Sequence, residues 1–255
     1  MEKHLVRTKV NTDPIDILQV ERRSVEGITK PFLCLADDGK RYWVKGKNCG
    51  VQGLCREWVA GRLAMELGLN IAPFRQALVP EDLLRKSMMP DIAELGAGIV
   101  FASEKIEGVE DFKMIHIDKV DIGTRRTLIA FDFWIQNEDR SLGPLGGNVN
   151  LLWQTSTEKM VVIDHNNAFD PQFSMEKLKM NHVFGADVGA WERPFVNRLQ
   201  KRMQEISGSL QHLLDELPEQ WAEPARLNLA AGYDIMESAM RQSLVEGGLV
   251  AAQTR

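Results

Sequence analysis

Oxygen-bearing side chains that suit metal and proton chemistry cluster in three short stretches of the chain. Asp139 lies in the first stretch, Asn148 and Asn150 lie in the second, and Asp164 lies in the third. An amide oxygen beside a carboxylate suits Mg²⁺, which completes its shell with water and phosphate oxygens. A carboxylate that does not bind the metal can accept a proton from an incoming hydroxyl group. The three stretches therefore indicate metal-assisted chemistry at a hydroxyl group.

A β-hairpin is expected to bring two of these stretches together. Its strands are predicted at residues 151–153 and 160–163, around a five-residue loop. With that loop, Asn150 and Asp164 lie opposite each other where the hairpin opens. Two carboxylates about 4 Å apart, at an effective dielectric constant near 20, repel each other by about 4 kcal/mol. A site that gathers Asp139 and Asp164 therefore favours a bound cation.

A lysine and a glutamate upstream can complete such a site. Lys45 ends a predicted strand, and Glu57 lies on the helix predicted for residues 54–67. Gly61 and Ala64 share the face of Glu57, so this helix can approach a sheet closely and present the carboxylate to it. Taken singly, the lysine could also be a solvated strand residue and the glutamate an exposed helical one.

The elements that must position these residues divide the chain into a strand-rich first part and a helical second part. Alternating apolar residues and the turn residues between them predict strands at 16–20, 32–35, 41–45, 74–79 and 98–106. Helical periodicity predicts further helices at 124–136 and at about 224–245. This α+β pattern predicts a strand-rich part at residues 1–106 and a mainly helical part at residues 107–255.

The composition excludes several classes of protein. With 255 residues, 44% apolar and 26% charged, the chain has the balance of an ordinary globular protein. A net charge of −5 argues against a general nucleic-acid binder, which is normally basic. No stretch approaches the ~20 apolar residues of a membrane span, and no apolar run opens the chain as a signal peptide would. Cys34, Cys49 and Cys55 have neither metal-ligand nor redox-pair spacing, so we expect reduced thiols in a cytoplasmic protein.

The order of the three stretches is typical of one enzyme family. They are Asn137-Glu138-Asp139-Arg140, then Asn148-Val149-Asn150-Leu151-Leu152, then Val162-Ile163-Asp164-His165. This order resembles the catalytic loop and the metal-binding aspartate of the HipA-like kinases, and phosphatidylinositol kinases share the plan. The resemblance implies a two-lobed protein-kinase-like fold, with a small strand-rich N-terminal lobe that holds one helix and a larger helical C-terminal lobe. It also implies ATP and Mg²⁺ (or Mn²⁺) in the cleft between the lobes.

The resemblance assigns a role to each residue of the three stretches. Asp139 matches the catalytic base, and Asp164 matches the metal-binding aspartate. The metal-binding asparagine matches either Asn148, which the Asn-x-Asn pattern favours, or Asn150, which the hairpin pairing favours.

Residues in the first part of the chain match the nucleotide-binding half of the same plan. Lys45 resembles the strand lysine that holds the nucleotide phosphates, and Glu57 resembles its ion-pair partner. The remaining nucleotide-binding residues implied are Gly27, Ile28, Thr29 and Lys30 in a phosphate loop, and Glu104 and Ile106 beside the adenine. A plain surface turn is the alternative for the loop.

The resemblance implies a serine/threonine protein kinase with a protein acceptor and an inhibitory partner protein, as in toxin–antitoxin pairs. A small-molecule or lipid acceptor stays open. The segment Ser141–Gly147 is longer than in the family, which makes a pseudokinase that binds nucleotide without transferring phosphate the first alternative. The second alternative is a metal-dependent phosphohydrolase that uses Asp139, Asp164 and His165 and gives no role to Lys45.

Overall fold

The computed structural model describes residues 11–221, except residues 26, 28, 144–146 and 209. Its strands are β1 (Ile15–Arg23), β2 (Phe32–Ala36), β3 (Arg41–Lys45), β4 (Phe74–Val79), β5 (Gly98–Glu104), β6 (Val109–Asp111), β7 (Leu151–Gln154) and β8 (Lys159–Val162). Its helices are α1 (Gly50–Leu67), α2 (Glu81–Lys86), α3 (Met114–Ile117), α4 (Ile122–Trp134), α5 (Met175–Asn181), α6 (Arg193–Ser207) and α7 (Leu210–Asp215). Short 3₁₀ helices lie at Lys47–Cys49, Ile92–Glu94, Gly185–Ala190 and Glu219–Trp221.

The first five strands close into a barrel in the order β1-β2-β3-β5-β4. Strands β1 and β4 pair in parallel, and the other neighbours are antiparallel. Ile15 and Ile17 on β1 are buried and alternate with exposed residues, as a strand with one face on a core requires. The predicted strands are present, but the sequence did not predict closure, because closure depends on pairing between β1 and the distant β4.

Helix α1 packs against the outside of this barrel. It begins at Gly50 rather than at residue 54, and it ends where Gly68 adopts a left-handed conformation with φ of 86°. A Cβ atom on Gly61 would lie 2.8 Å from ring carbons of Phe74 on β4. The absence of a side chain at Gly61 therefore permits the close approach of helix and sheet.

The predicted register of the β7–β8 hairpin is wrong by one residue. Trp153 pairs with Met160, not with residue 161, and the strands enclose a four-residue loop. Glu158, just before β8, adopts a positive φ of 50°, which allows the tighter turn. A third strand, β6, which was not predicted, pairs with the other edge of β7.

The corrected register changes which residues meet where the hairpin opens. The backbone N–H of Ile163 donates to the carbonyl oxygen of Asn150 (3.2 Å), and Asp164 lies one residue further along. The segment after α1 joins the same hairpin, because Val162 donates to the Asn70 carbonyl (2.8 Å) and accepts from Ala72 (3.3 Å). The hairpin is therefore fixed to the barrel as well as to the helical part.

Helix α1 belongs to the apolar core of the helical part. Val59 and Leu63 of α1 are fully buried in one cluster with Leu128 and Phe131 of α4, whereas the barrel interior forms a separate cluster. Residues from both parts of the chain therefore hold α1 in place.

The strand-rich first part and the helices that follow agree with the predicted α+β class. The two-lobed description and the boundary between residues 106 and 107 stay predictions, and the helix predicted near residues 224–245 lies outside the described residues. The three cysteines are free thiols. Within the described residues, no helix is both long enough and apolar enough to cross a membrane.

Candidate active site

A cleft of about 660 Å³ opens between the barrel and the β7–β8 hairpin. Its lining includes Gly27, Thr29, Lys45, Glu57, Glu104, Ile106, Asp139, Asn148, Asn150 and Asp164. Lys30 is not part of this lining, and Ile28 lies outside the described residues. Apart from Lys30 and Ile28, the residues predicted to hold phosphate, to bind metal and to accept a proton therefore share one open space.

Lys45, at the end of β3, lies between two carboxylates. Its Nζ is 2.5 Å from Oε1 of Glu57 and 2.7 Å from Oδ1 of Asp164. Burial acts to lower the pKa of Lys45, but the two carboxylates outweigh burial and raise that pKa above its ordinary value. The ammonium group is therefore protonated and fixed at the wall of the cleft.

Glu57 joins α1 to the stretch that contains Asp164. Its side chain is 2% exposed, and its Oε2 accepts a hydrogen bond from the backbone N–H of His165 (3.0 Å). Burial acts to raise the pKa of Glu57, but Lys45 and His165 together hold that pKa well below its usual range. Glu57 is therefore an ionised carboxylate with a partner for each oxygen.

Three amide side chains surround Asp139. The Nδ2 atom of Asn148 donates to Oδ1 of Asp139 (2.7 Å), and that of Asn167 donates to Oδ2 (2.7 Å). The Nδ2 atom of Asn150 donates to the Asp139 carbonyl oxygen (2.6 Å) and lies 3.3 Å from Oδ2. Because these amide nitrogens turn towards Asp139, the oxygens of Asn148 and Asn150 point away from it.

Asn167 is a cleft residue that the sequence analysis did not single out. It is exposed, it lines the cleft, and it follows Asp164 by three positions. The sequence held a signal for Asn167, because the pair Asn166-Asn167 directly follows Asp164-His165. Amide side chains so close to a candidate metal-binding aspartate can donate or accept hydrogen bonds within the site.

Arg140 holds together the arms that carry Asn150 and Asp164. The guanidinium is completely buried, and its Nε donates to Oδ2 of Asp132 (2.7 Å) on α4. One terminal nitrogen donates to the carbonyl oxygens of Asn150 (2.5 Å) and Ile163 (3.3 Å). A single side chain therefore links α4 to both strands at the open end of the hairpin.

His182 completes this buried network, and neither His182 nor Asp132 was predicted from sequence. Nε2 of His182 is 3.0 Å from Oδ2 of Asp132. Burial acts to raise the pKa of Asp132, but Arg140 and His182 lower it to about 2. Burial also lowers the pKa of His182, and Asp132 opposes this only in part. The network is therefore a carboxylate–guanidinium pair beside a histidine that resists protonation.

The end of β5 forms the other side of the cleft. The Glu104 side chain pairs with Lys40 (2.8 Å), and the N–H of Glu104 donates to the Pro73 carbonyl (2.7 Å). The N–H of Lys105 donates to the Arg41 carbonyl (2.8 Å). Neither of these N–H groups is therefore available to a bound base.

Asp164, Asn148 and Asn150 line the same cleft and carry oxygen donors of the kind that a divalent cation sharing its ligands with a substrate requires. Burial, with a smaller contribution from Glu57, raises the pKa of Asp164 against the opposing effect of Lys45. One lysine ammonium faces the two carboxylates. The amide oxygens of Asn148 and Asn150 supply further hard donors. Among the described residues, no group of three or more His, Cys, Asp or Glu side chains could hold a metal alone. Phosphate oxygens and water would complete the shell.

Comparison with protein families identifies the chain. A family model described as "HipA-like kinase" matches residues 17–247. The chain belongs to the HipA-like kinase family. A search of curated proteins found no match for this HipA-like kinase.

One solved kinase structure shares the fold of this HipA-like kinase. The Helicobacter pylori proinflammatory kinase CtkA matches with a TM-score of 0.56 and 12% sequence identity, over 91% of this chain and 99% of that chain. The FAT and kinase domain of CtTel1 matches with a TM-score of 0.35 and 13% identity, over 89% of this chain and 22% of that chain. Family and fold together support a kinase-type phosphotransferase.

Proposed function

We propose that this HipA-like kinase transfers the γ-phosphoryl group of Mg-ATP to a serine or threonine hydroxyl of a protein. The observation that carries the proposal is the convergence of Lys45, Glu57 and Asp164 in one cleft with Asp139. A lysine–glutamate pair and a metal-binding aspartate must both be in place for phosphoryl transfer in kinases. The ion pair at 2.5 Å supplies the first of these requirements without rearrangement.

Lys45 and Glu57 bind and orient the nucleotide phosphates in this proposal. Lys45 offers a protonated ammonium group to the phosphate oxygens, and Glu57 fixes its position. Asp164 currently takes one of the hydrogen bonds of Lys45, so the lysine can exchange that contact for phosphate when the carboxylate turns to a cation. Phosphoryl transfer depends mainly on such positioning and on charge stabilisation.

Asp164, with Asn148 or Asn150, would hold Mg²⁺ or Mn²⁺. When bound, the cation neutralises the negative charge on the phosphate oxygens. Either asparagine can serve as the metal ligand, because both amide nitrogens donate to Asp139 and leave the amide oxygens directed away from it. The buried guanidinium of Arg140 fixes the backbone of Asn150 and Ile163, and so holds these donors in register.

Asp139 accepts the proton of the attacking hydroxyl in this proposal. The new bond forms between the hydroxyl oxygen and the γ-phosphorus, the bond to the β–γ bridging oxygen breaks, and ADP leaves. The hydroxyl proton passes to a carboxylate oxygen of Asp139. Hydrogen bonds from Asn148 and Asn167 fix that carboxylate at the edge of the cleft.

We further propose a protein acceptor, an inhibitory partner protein and a cytoplasmic location. The family resemblance supports the first two statements, and the cysteine spacing, which favours reduced thiols, supports the third. The acidic balance of the chain gives no support to a nucleic-acid acceptor.

The first prediction concerns Asp139→Asn, which keeps the shape of the side chain but removes its capacity to take a proton. We expect phosphate transfer to a protein acceptor, or autophosphorylation, to fall by about 10²–10⁴-fold. Nucleotide binding should persist, because Asp139 does not contact Lys45 or Glu57 in the structure. Radiolabelled ATP measures transfer, and thermal melting with Mg-ATP measures binding.

Asp118→Asn is the matched control, because Asp118 is exposed at the end of α3 and does not line the cleft. Full transfer by Asp139→Asn would remove Asp139 from the proposed role. A melting shift with ATP but no phosphoprotein from the wild-type chain would identify a pseudokinase. Release of phosphate from an ATP-free phosphoester, independent of Lys45, would identify a phosphohydrolase.

A further inference from the structure

A segment near the end of the described chain covers one face of α1, the helix that carries Glu57. This segment, residues 216–221, is called the C-terminal strap. Trp221 is 1% exposed and lies in one apolar cluster with Leu54, Cys55 and Trp58 of α1. Phe74 on β4 and Phe101 on β5 complete that cluster. The strap therefore packs into the space between α1 and the barrel.

The first residue of the strap forms a buried ion pair with α1. Oε2 of Glu216 is 2.8 Å from Nε of Arg62, and Oε1 is 3.0 Å from a terminal nitrogen of the same guanidinium. The Arg62 side chain is 2% exposed and that of Glu216 is 9% exposed. The indole N–H of Trp58 also donates to Oε2 of Glu216 (3.3 Å). Such a buried, bidentate ion pair fixes the orientation of the two side chains as well as the distance between them.

The strap also binds the two barrel strands that lie next to α1. The amide of Gln76 on β4 donates to the Glu216 carbonyl (2.8 Å), and the indole N–H of Trp221 donates to the Ile99 carbonyl on β5 (3.1 Å). The thiol of Cys55 on α1 donates to the Trp221 carbonyl (2.7 Å). The strap therefore bridges α1 and the sheet that carries Lys45.

Two faces of α1 are held by different parts of the molecule. Val59 and Leu63, on one face, pack into the core of the helical part. Leu54 and Trp58, on another face, pack against the strap cluster instead. Trp58 and Arg62, one turn apart on that face, both bind Glu216. A change in the strap therefore acts on the face of α1 that contains Trp58, the residue next to Glu57.

We propose that Glu216 and Trp221 are positioning residues that hold Glu57 on Lys45. They act through α1 and do not line the cleft. The inference rests on the proposed function, because it assigns the strap a role in forming the phosphate-binding pair. In this proposal, the pairing of Lys45 with Glu57 depends on a segment that is distant in sequence. Glu216 follows its partner Arg62 by 154 residues.

The test uses the full chain with Glu216→Gln and, separately, Trp221→Phe. The first variant removes the negative charge that pairs with Arg62, and the second removes one hydrogen-bond donor but keeps an aromatic ring. Acylation of Lys45 by acetic anhydride, followed by mass spectrometry, reports on the ion pair, with exposed Lys159 as the internal reference. Affinities for Mg-ATP and for adenosine, which lacks phosphates, separate phosphate binding from base binding.

We expect Lys45 to be acylated at least threefold faster in Glu216→Gln, and Mg-ATP affinity to fall about tenfold while adenosine affinity stays the same. Trp221→Phe should change both quantities in the same direction by a smaller factor. Asp215→Asn is the matched control, because Asp215 is exposed and contacts only its own helix through Gln211 (2.9 Å) among the hydrogen bonds of the described residues. Asp215→Asn should behave as the wild type.

Two results would overturn the inference. One is unchanged acylation of Lys45 in both folded variants, as judged by circular dichroism. The other is a parallel loss of adenosine and Mg-ATP affinity, which indicates general loosening of the fold. If the wild type binds no Mg-ATP, the proposed function fails, but the acylation of Lys45 still tests the link between the strap and the ion pair.

Discussion

At the scale of single residues, the site holds more negative than positive charge. One lysine, Lys45, is shared by the two carboxylates of Glu57 and Asp164, and burial followed by the charge of Glu57 raises the pKa of Asp164. Buried charges are stable only when paired and hydrogen-bonded. The cluster therefore has a physical reason to bind a divalent cation beside Asp164.

The second prediction concerns Asn167, whose amide donates to Asp139 from the cleft surface. We expect Asn167→Ala to lower the rate of phosphate transfer about fivefold, since one such hydrogen bond contributes about 1 kcal/mol. The free energy of unfolding should change by less than about 0.5 kcal/mol, because Asn167 is exposed. Steady-state kinetics and urea unfolding measure the two quantities.

Asn181→Ala is the matched control, because Asn181 is also exposed but lies outside the cleft. Wild-type kinetics in Asn167→Ala would show that the contact with Asp139 does not matter for transfer. Equal losses of rate and stability would instead assign Asn167 to the fold.

At the scale of elements, the position of α1 against β4 decides whether Lys45 meets Glu57. Gly61 lies one turn after Glu57 on the same face of α1, and it contacts the Phe74 ring. The Phe74 ring is packed edge-on to Trp58 and against Phe101, with ring centres 5.3 Å and 5.4 Å away, so it has little freedom to move aside.

The third prediction concerns Gly61→Val, which adds a branched side chain at this contact. We expect overpacking to lower the free energy of unfolding by about 1–3 kcal/mol. Outward movement of α1 should also withdraw Glu57 and raise the KM for Mg-ATP. Urea unfolding and initial-rate kinetics measure these effects.

Gly208→Val is the control for this substitution. A Cβ atom on Gly208 meets its nearest neighbours at 3.5 Å and 3.6 Å, which is ordinary contact. If Gly61→Val keeps the wild-type KM, the close approach at Gly61 serves packing alone.

At the scale of the whole molecule, the buried Asp132–Arg140–His182 network links stability to pH. The pKa of Asp132 is about 2 in the folded protein and 3.8 ordinarily, so the unfolded chain takes up its proton first as pH falls. The pKa of His182 is also lowered, so the unfolded chain again binds the proton more readily. Both groups therefore stabilise the fold at higher pH and lose that effect on acidification.

The fourth prediction follows from these signs. The free energy of unfolding should fall as pH drops through the ordinary pKa of histidine, and fall again between about pH 4 and pH 2 as unfolded Asp132 is protonated. Urea unfolding at a series of pH values measures the profile.

Asp132→Asn tests whether Asp132 causes the decrease in the free energy of unfolding between about pH 4 and pH 2. It should lower the free energy of unfolding at neutral pH by about 3–5 kcal/mol, because it leaves the Arg140 charge buried without its partner. The remaining profile between pH 4 and pH 2 should be flatter than in the wild type. An equally steep profile would assign the acid sensitivity to other carboxylates, of which Glu57 is the first candidate.

The sequence by itself determined most of the local elements and several of the polar residues that line the cleft. Alternation predicted β1 to β5, helical periodicity predicted α1 and α4, and the spacing of Asp139, Asn148 and Asp164 predicted that they share a site. These features depend on residues close together in the chain, so periodicity and turn residues are sufficient to reveal them. The order of the motifs also predicted the family.

Only the tertiary structure decided the features that join distant residues. The closure of the barrel, the register that places Ile163 beside Asn150, and the buried partnership of Arg140 with Asp132 all depend on packing between elements. The same holds for the strap, where Glu216 meets Arg62 across most of the chain. Local sequence carries no signal for such pairs, because a buried charge is stabilised by whichever partner the whole fold brings to it.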